Sequence, residues 1–385
     1  MSMHKKIGIL TFYPMHGGGI FQYIQSMVDA LSVDKTNTYI IFADINDDRF
    51  DGYGLEVRKL TPSNRSTLNQ TLIFSQLLLG MRESFFLRDD EKQAYADIDL
   101  FISPATSVYP HLFLKKPFVF TLHDMQEKYY PHAFTWTERF KRELRNRALT
   151  KSAKAVICES NYVRNDIMNF LGANSDKIAV IQSPPPDFLL RYEAKPDNFA
   201  AVRQKYGLPE RYIFYPAQCW FHKNHIQLVE AFNRIVTETN EDVFLILSGS
   251  QQDNYPKLMA KIQELGLEYR IKHLGYIDYE DIPYLYKMAR MLVMPTLFES
   301  VSIPIYEAFA LGVPVCCSNV VALPEQVGDA ALIFNPNDPI DMSQKMLQLL
   351  RDEALAAELA VRGQQRVSSF DHKGYSTNIL SVLEK

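Results

Sequence analysis

Cysteine is scarce in this 385-residue chain: only Cys158, Cys219, Cys316 and Cys317 occur, and no CxxC pair. That excludes a disulfide-stapled scaffold, and reduced core thiols in a cytosolic protein account for all four. No His/Cys cluster has metal-ligand spacing, so no bound metal is expected. No apolar run approaches the roughly 20 residues that span a bilayer. The opening MSMHKKIGIL runs straight into a strand and lacks the long apolar segment and cleavage site of a secretory signal, so a cytoplasmic location is expected. Positive charge is not in excess. Lys and Arg number 41 against 45 Asp and Glu, a net charge of −4, which argues against nucleic acid as the main partner. Repeats and low-complexity segments are absent. What remains is an ordinary globular composition, 47% apolar and 22% charged, and a length that calls for two domains.

Strands alternate with helices throughout. Lys6–Phe12, Thr38–Ala43, Asp99–Pro104, Pro117–Asp124, Lys154–Ser160 and Lys177–Ser183 read as strands of the first half. RYIFYPA, VFLILSGS, IKHLGYI, MLVM and VPVCCS read as strands of the second. This alternation predicts α/β architecture with parallel sheets covered on both faces, whose ligands sit beyond the carboxyl ends of the strands. The triple proline in SPPPDFLLRYEAKP (Ser183–Pro196) marks a stiff linker. The domains are therefore placed at 1–185 and 197–369, with a linker at 186–196.

The stretch Pro295–Asn319, PTLFESVSIPIYEAFALGVPVCCSN, organises the second half. It predicts strand, tight loop, short helix and strand. Ser302 suits the N-cap, Pro304 the first turn and Gly312 the C-terminal end. Free N–H groups at the helix start, at Ser302 and Ile303, suit a phosphate. Glu299 and Glu307 bracket that start, seven residues apart, and ionised carboxylates accept protons from sugar hydroxyls. The alternative is two solvated acids favoured by the helix dipole.

Other strand ends carry further candidates, each with a plain structural alternative. Gly18 and Gly19, in HGGGI after the first strand, would let a ligand approach the backbone; the alternative is a plain turn. His123 ends the strand FVFTL, where a lone histidine is commonly structural and a neutral ring could also donate or accept. Lys223 and Asn224 stand between a strand and a helix, as a phosphate-binding cation should; a solvated lysine is the alternative. Ser248–Gly249 and Tyr276–Ile277 follow two more strands. Asp97-Ile98-Asp99 precedes a strand, at the wrong edge for a ligand, and reads as a turn. Thr135–Lys154 holds seven Lys/Arg against two Glu, a local charge of +5. Trp136, Phe140 and Leu144 recur there every fourth residue, as in a packed surface helix.

Glu299, seven residues and Glu307, set within Pro295–Glu299, Pro304–Ala308 and Gly312–Val315, resemble the signature of the family 4 retaining glycosyltransferases of GT-B fold. Gly18–Gly19, His123–Phe134 (HDMQEKYYPHAF) and Lys223–His225 resemble further segments of that family, and the likeness covers nearly the whole chain. It implies two Rossmann-like parallel-sheet domains facing a cleft, with a final helix at about 370–385 returning to the first. It implies transfer of a hexose-type sugar, with retention and without a metal, from a nucleotide diphosphate sugar to a hydroxyl of a glycan or lipid-linked acceptor. In that reading Glu299 holds the donor sugar and Glu307 the ribose. Lys223, Asn224 and the Ser302–Ile303 amides hold the diphosphate, Ser248 and Gly249 line the nucleotide, and Tyr276 and Ile277 flank the base. His123 contacts the transferred sugar. Bacterial polysaccharide or lipid-linked oligosaccharide assembly is implied, with contact to an anionic membrane through Arg139–Lys154. The sequence departs from the pattern at Gln218, where relatives often carry Arg, and at Ser300 and Ser302, where many carry Gly. Those departures keep open a weakly catalytic nucleotide-sugar-binding subunit. A nucleotide-sugar epimerase is the other alternative.

Overall fold

The protein, seen in a computed structural model, is described over residues 4–13, 19–61, 67–82, 87–112, 114–186, 189, 192–193, 195–239 and 241–384. It divides into two compact units: Met1–Ser183 with Asp371–Lys385, and Pro184–Phe370.

The first unit is built on seven parallel strands in the order β3-β2-β1-β4-β5-β6-β7. They are β1 (Lys6–Leu10), β2 (Thr38–Asp44), β3 (Glu56–Leu60), β4 (Leu100–Ser103), β5 (Phe118–Thr121), β6 (Ala155–Cys158) and β7 (Ile178–Val180). LFIS, FVFT and AVIC are buried at every position, as strands covered on both faces must be. β3 was not legible in the sequence. It is an edge strand, EVRKL, with no fully buried position, and its charges suit an edge.

The His372–Glu384 helix packs against the Gly19–Ser32 helix. Its Tyr375, Ile379, Val382 and Leu383 enter the same core as Ile7, Ile9 and Tyr23, each large side chain contributing about 1.5–3 kcal/mol by burial. Lys5 and Lys154 both donate to the Leu383 carbonyl, at 3.2 and 3.0 Å, placing two cations at the negative end of that helix.

The second unit has six parallel strands in the order β10-β9-β8-β11-β12-β13. They are β8 (Tyr212–Pro216), β9 (Phe244–Ser248), β10 (Ile271–His273), β11 (Met291–Met294), β12 (Val315–Ser318) and β13 (Ala331–Phe334). The chain winds outward from β8 through β9 and β10, then crosses back to β11 and winds the other way. The strand order therefore reverses between β8 and β11, and the crevice beyond their carboxyl ends is the ligand position of such a sheet. Pro184, Pro185 and Pro186 are buried, and Pro196 opens the Pro196–Tyr206 helix.

Asp97 and Asp99 sit before β4 and are taken up structurally. Asp97 pairs with Lys6 at 3.0 Å and Arg58 at 2.7 Å, and Arg58 holds its carboxyl well below the usual range. Asp99 accepts the Lys6 backbone N–H at 2.8 Å. All four cysteines are buried and free. Burial pushes Cys219 up to about 11 and Cys317 up to about 12, so both are thiols at neutral pH and neither is an activated nucleophile. Among the described residues no helix is long and apolar enough to cross a membrane.

Candidate functional site

The reversal of strand order brings two loops together that lie far apart in sequence. The loop after β8 runs through a short turn, Phe221–Lys223, to Asn224, which adopts the left-handed conformation at φ 58°, a region Asn tolerates better than most residues. The loop after β11 carries Thr296 to Ser302. They are stitched by backbone and side chain: Leu297 N–H donates to the His222 carbonyl at 2.7 Å, as does the Thr296 hydroxyl at 3.0 Å. Lys223 Nζ pairs with Glu299 Oε2, both side chains less than a fifth exposed, at 19% and 16%. Burial lowers the His222 ring to about 3 and the His225 ring likewise. Both stay neutral, and Lys223 is the cation this loop offers.

Asn224 takes a different place from the donor contact expected of it. Its side-chain amide donates to the Pro295 carbonyl at 2.9 Å and the Pro336 carbonyl at 2.8 Å, and the residue is buried. It braces the ends of β11 and β13 and fixes the turn that presents Lys223. Gln218 Oε1 accepts from Trp220 Nε1 at 2.8 Å. Gln218 thus orients a partly exposed indole.

The Ile303–Ala310 helix begins where the second loop ends. Ser302 caps it by position only: its backbone N–H donates to Gln326 Oε1 at 2.9 Å, and Gln326 Nε2 returns a bond to the Ser302 carbonyl at 2.7 Å. The expectation that the Ser302 amide meets a phosphate is therefore corrected, because that N–H is engaged. What the helix start offers instead is the Ile303 and Ile305 N–H groups, Pro304 having none. The Ser302 hydroxyl, buried and without a hydrogen-bond partner among the described residues, joins them. Glu307 lies one turn in, buried, and its Oε2 accepts the Tyr286 hydroxyl at 2.6 Å. Gln326 and Tyr286 are the residues sequence reasoning missed; neither stands in a motif, and only contact across the fold marks them.

Beyond β9, Gly249 has φ 127° and its N–H donates to the Gly275 carbonyl at 2.8 Å. A Cβ there would stand 2.6 Å from the Ala217 carbonyl oxygen. Gly249→Ala is expected to destabilise the second unit by at least about 2 kcal/mol, visible as a lowered Tm; a Tm within error of wild type would show that the loop relaxes freely. Ser248 is buried. Tyr276 is 76% exposed, whereas Ile277 is 7% exposed and packs into the core. Of the pair, Tyr276 carries the exposed side chain, and that of Ile277 belongs to the core.

In the first unit, Gly18 lies outside the described residues and Gly19 is exposed at the start of its helix. His123 follows β5 but is buried. Nδ1 lies 3.0 Å from Glu159 Oε2 and Nε2 lies 2.9 Å from the Pro104 carbonyl oxygen. Both partners only accept, so making both bonds at once requires the doubly protonated ring. Burial alone would lower its pKa; the Glu159 carboxylate outweighs that and raises it. Both ring nitrogens are therefore engaged within the first unit. Glu159 also accepts from the Ser183 hydroxyl at 3.0 Å, and Tyr23 packs edge-on to the His123 ring at 4.7 Å.

A lysine, two carboxylates and a helix start thus meet at the switch point of the second unit's parallel sheet. Residues 198–366 match the family model of the glycosyl transferases group 1, and residues 17–184 that of glycosyltransferase family 4. The chain is 30% identical over 341 residues to O-antigen chain mannosyltransferase B of Escherichia coli, covering 86% of each. It is 25% identical over 223 residues to the serotype-specific mannosyltransferase WbdA of Escherichia coli, 57% of this chain and 27% of that one. In structure it resembles HepE of Anabaena, solved with UDP and glucose, at a TM-score of 0.77 and 20% identity over 99% of both chains. The chain belongs to the family 4 glycosyltransferases, with the GT-B fold.

Proposed function

We propose that this enzyme moves a hexose, mannose foremost given its relatives, from a nucleotide diphosphate sugar to a hydroxyl of a glycan or lipid-linked acceptor. The anomeric configuration is retained and no metal takes part. The observation that carries this reading is the Lys223–Glu299 pair beside the Ile303–Ala310 helix start. In the free enzyme the two charges satisfy each other. When the donor enters, its diphosphate takes Lys223, the Ile303 and Ile305 N–H groups and the Ser302 hydroxyl, and Glu299 turns to the sugar hydroxyls. Glu307, held by Tyr286, accepts from the ribose, and Tyr276 flanks the base. Lys223 and the helix start supply the charge that a divalent ion would otherwise bring to the leaving diphosphate. The departing phosphate oxygen takes the acceptor proton on the face it leaves, so the protein's part is positioning and electrostatics. His123 serves as a charged brace beyond β5. Work at the inner face of a membrane, with Arg139–Lys154 toward anionic lipid, fits a lipid-linked acceptor.

Thermal shift with GDP-, UDP- and ADP-sugars, mannose among the sugars, tests the reading on wild type and Glu307→Ala, with and without EDTA. One nucleotide class should raise the wild-type Tm, since a ligand at 100 times its Kd stabilises by about 2.7 kcal/mol. EDTA should leave that rise intact and Glu307→Ala should abolish it. No rise with any donor at millimolar concentration would sink the proposal; a rise that EDTA removes would sink its metal-free part.

A further inference from the structure

The Ile303–Ala310 helix has eight residues, and a helix that short depends on what its surroundings hold in place. Its own sequence does not hold its start. Pro304 disfavours helical backbone at Ile303 before it and has no N–H to be capped. Serine is a favoured N-cap, its hydroxyl accepting an N–H of the first turn, yet Ser302 makes no such bond. What holds Ser302 comes from 24 positions away. The Gln326 amide grips both backbone groups of that one residue: Oε1 accepts the Ser302 N–H at 2.9 Å, and Nε2 donates to the Ser302 carbonyl at 2.7 Å. Ser302 is thereby kept extended, at φ −104° and ψ 106°. Both residues are buried, where a group that loses its hydrogen bond finds no water to replace it.

Gln326 is itself fixed from behind. It lies on the Leu323–Val327 helix, where Arg366 donates to its backbone carbonyl and to that of Glu325 at 2.6 Å. Room for this guanidinium requires Gly328, where a Cβ would stand 2.9 Å from Arg366 Nη1. Arg366 comes from the Glu353–Val367 helix, which packs along the Ile303–Ala310 helix. Capping by the Ser302 hydroxyl would satisfy the helix with no remote partner. The clamp instead leaves that hydroxyl without a hydrogen bond among the described residues.

We propose that Gln326 is a positioning residue for the donor: by clamping Ser302 it keeps the Ser302 hydroxyl and the Ile303 and Ile305 N–H groups available to the diphosphate. This rests on the donor reading above and names what stops that helix start from closing on itself. Without the clamp, Ser302 turns its hydroxyl to the Ile305 N–H, as an N-cap serine does, and both groups are lost to the ligand together.

Gln326→Glu tests this, because a carboxyl group matches the amide only when protonated. The acid accepts the Ser302 N–H on one oxygen and donates from the other to the Ser302 carbonyl. The carboxylate can only accept, so it loses the second bond. Burial and the facing carbonyl raise the pKa of such a carboxyl above the usual value of about 4.3. Donor Kd is measured by calorimetry with GDP-mannose, UDP-glucose and ADP-glucose on full-length wild type, Gln326→Glu and Gln326→Leu, at about pH 8 and about pH 5.5. At the higher pH, Gln326→Glu should bind roughly tenfold or more weaker than wild type. At the lower pH the ratio should fall to about threefold or less. Lys223, Glu299, Glu307, Glu325 and Arg366 are common to both proteins, so the ratio isolates position 326. Gln326→Leu has no proton to gain and should be weakened roughly tenfold or more at both pH values. A Gln326→Glu ratio that does not move with pH, or a lowered ligand-free Tm with donor Kd unchanged in the variants, would overturn the clamp and leave the donor reading standing. If Gln326→Leu does not fold, the pH series on Gln326→Glu decides alone. Wild type that binds none of the three donors overturns the donor reading, and the clamp with it.

Discussion

Glu299→Gln is expected to lower kcat/KM for sugar transfer by roughly 10²–10³-fold, and Lys223→Met by a similar factor. The double variant should lose little more than either alone. The reason lies in the resting site. The two side chains pair at low exposure, 19% and 16%, where deleting one partner leaves the other charge poorly solvated. With the donor bound both are redirected, Lys223 to diphosphate and Glu299 to sugar hydroxyls, so each is useful only if the other has been exchanged for substrate. Residues that act as a unit give non-additive losses. A double-mutant cycle on kcat/KM measures this. Losses that multiply would mean that the pair does not act as one device, and a loss below about threefold in either single variant would remove that residue from the site.

The second large effect concerns Glu159. Because the His123 ring is bonded to two acceptors, Glu159→Gln withdraws the charge that keeps it doubly protonated. Breaking a buried pair from one side costs about 3–5 kcal/mol. The sign of the pH dependence follows from the raised pKa of His123 in the fold. The stabilisation is fully present below the unfolded value of about 6.5 and is lost as pH rises through the higher folded value. The gap in Tm between wild type and Glu159→Gln should therefore be widest near pH 6 and shrink toward alkaline pH. A gap constant across that range would show that the ring is neutral and that one of its two bonds is not made. Tyr23, Asp124 and Glu159 are the titratable groups that bear on this ring, and Glu159 is the one bonded to it.

How much of this was legible in the sequence depends on burial. Central strands such as FVFT and AVIC are apolar at every position and declare themselves. EVRKL and ALIF are half-buried edge strands and do not, since a strand with one wet face and one neighbour carries little pattern. The Glu299–Glu307 loop could be read because its residues are local: a proline, a glycine and two acids at fixed spacing. Its partners could not. Lys223 and Glu299 are 76 positions apart, and their pairing follows from β8 lying beside β11, which no local pattern states. The same holds for Glu159 beneath His123, Tyr286 on Glu307 and Gln326 around Ser302. The stripe on the Trp136–Ser152 helix shows the converse failure: Leu144 packs against the core while Trp136 is 72% exposed, since spacing tells which residues share a face, not what that face meets.

The placement of the His372–Glu384 helix has a consequence for biogenesis. The first unit cannot close its core over Ile7 and Ile9 until Tyr375, Ile379 and Val382 arrive, and the ribosome makes those only after the entire second unit. At about 5–20 residues per second, the nascent first sheet waits roughly 10–40 s with that apolar groove uncovered. The second unit is contiguous from Pro184 to Phe370, so its core waits on no later segment of the chain.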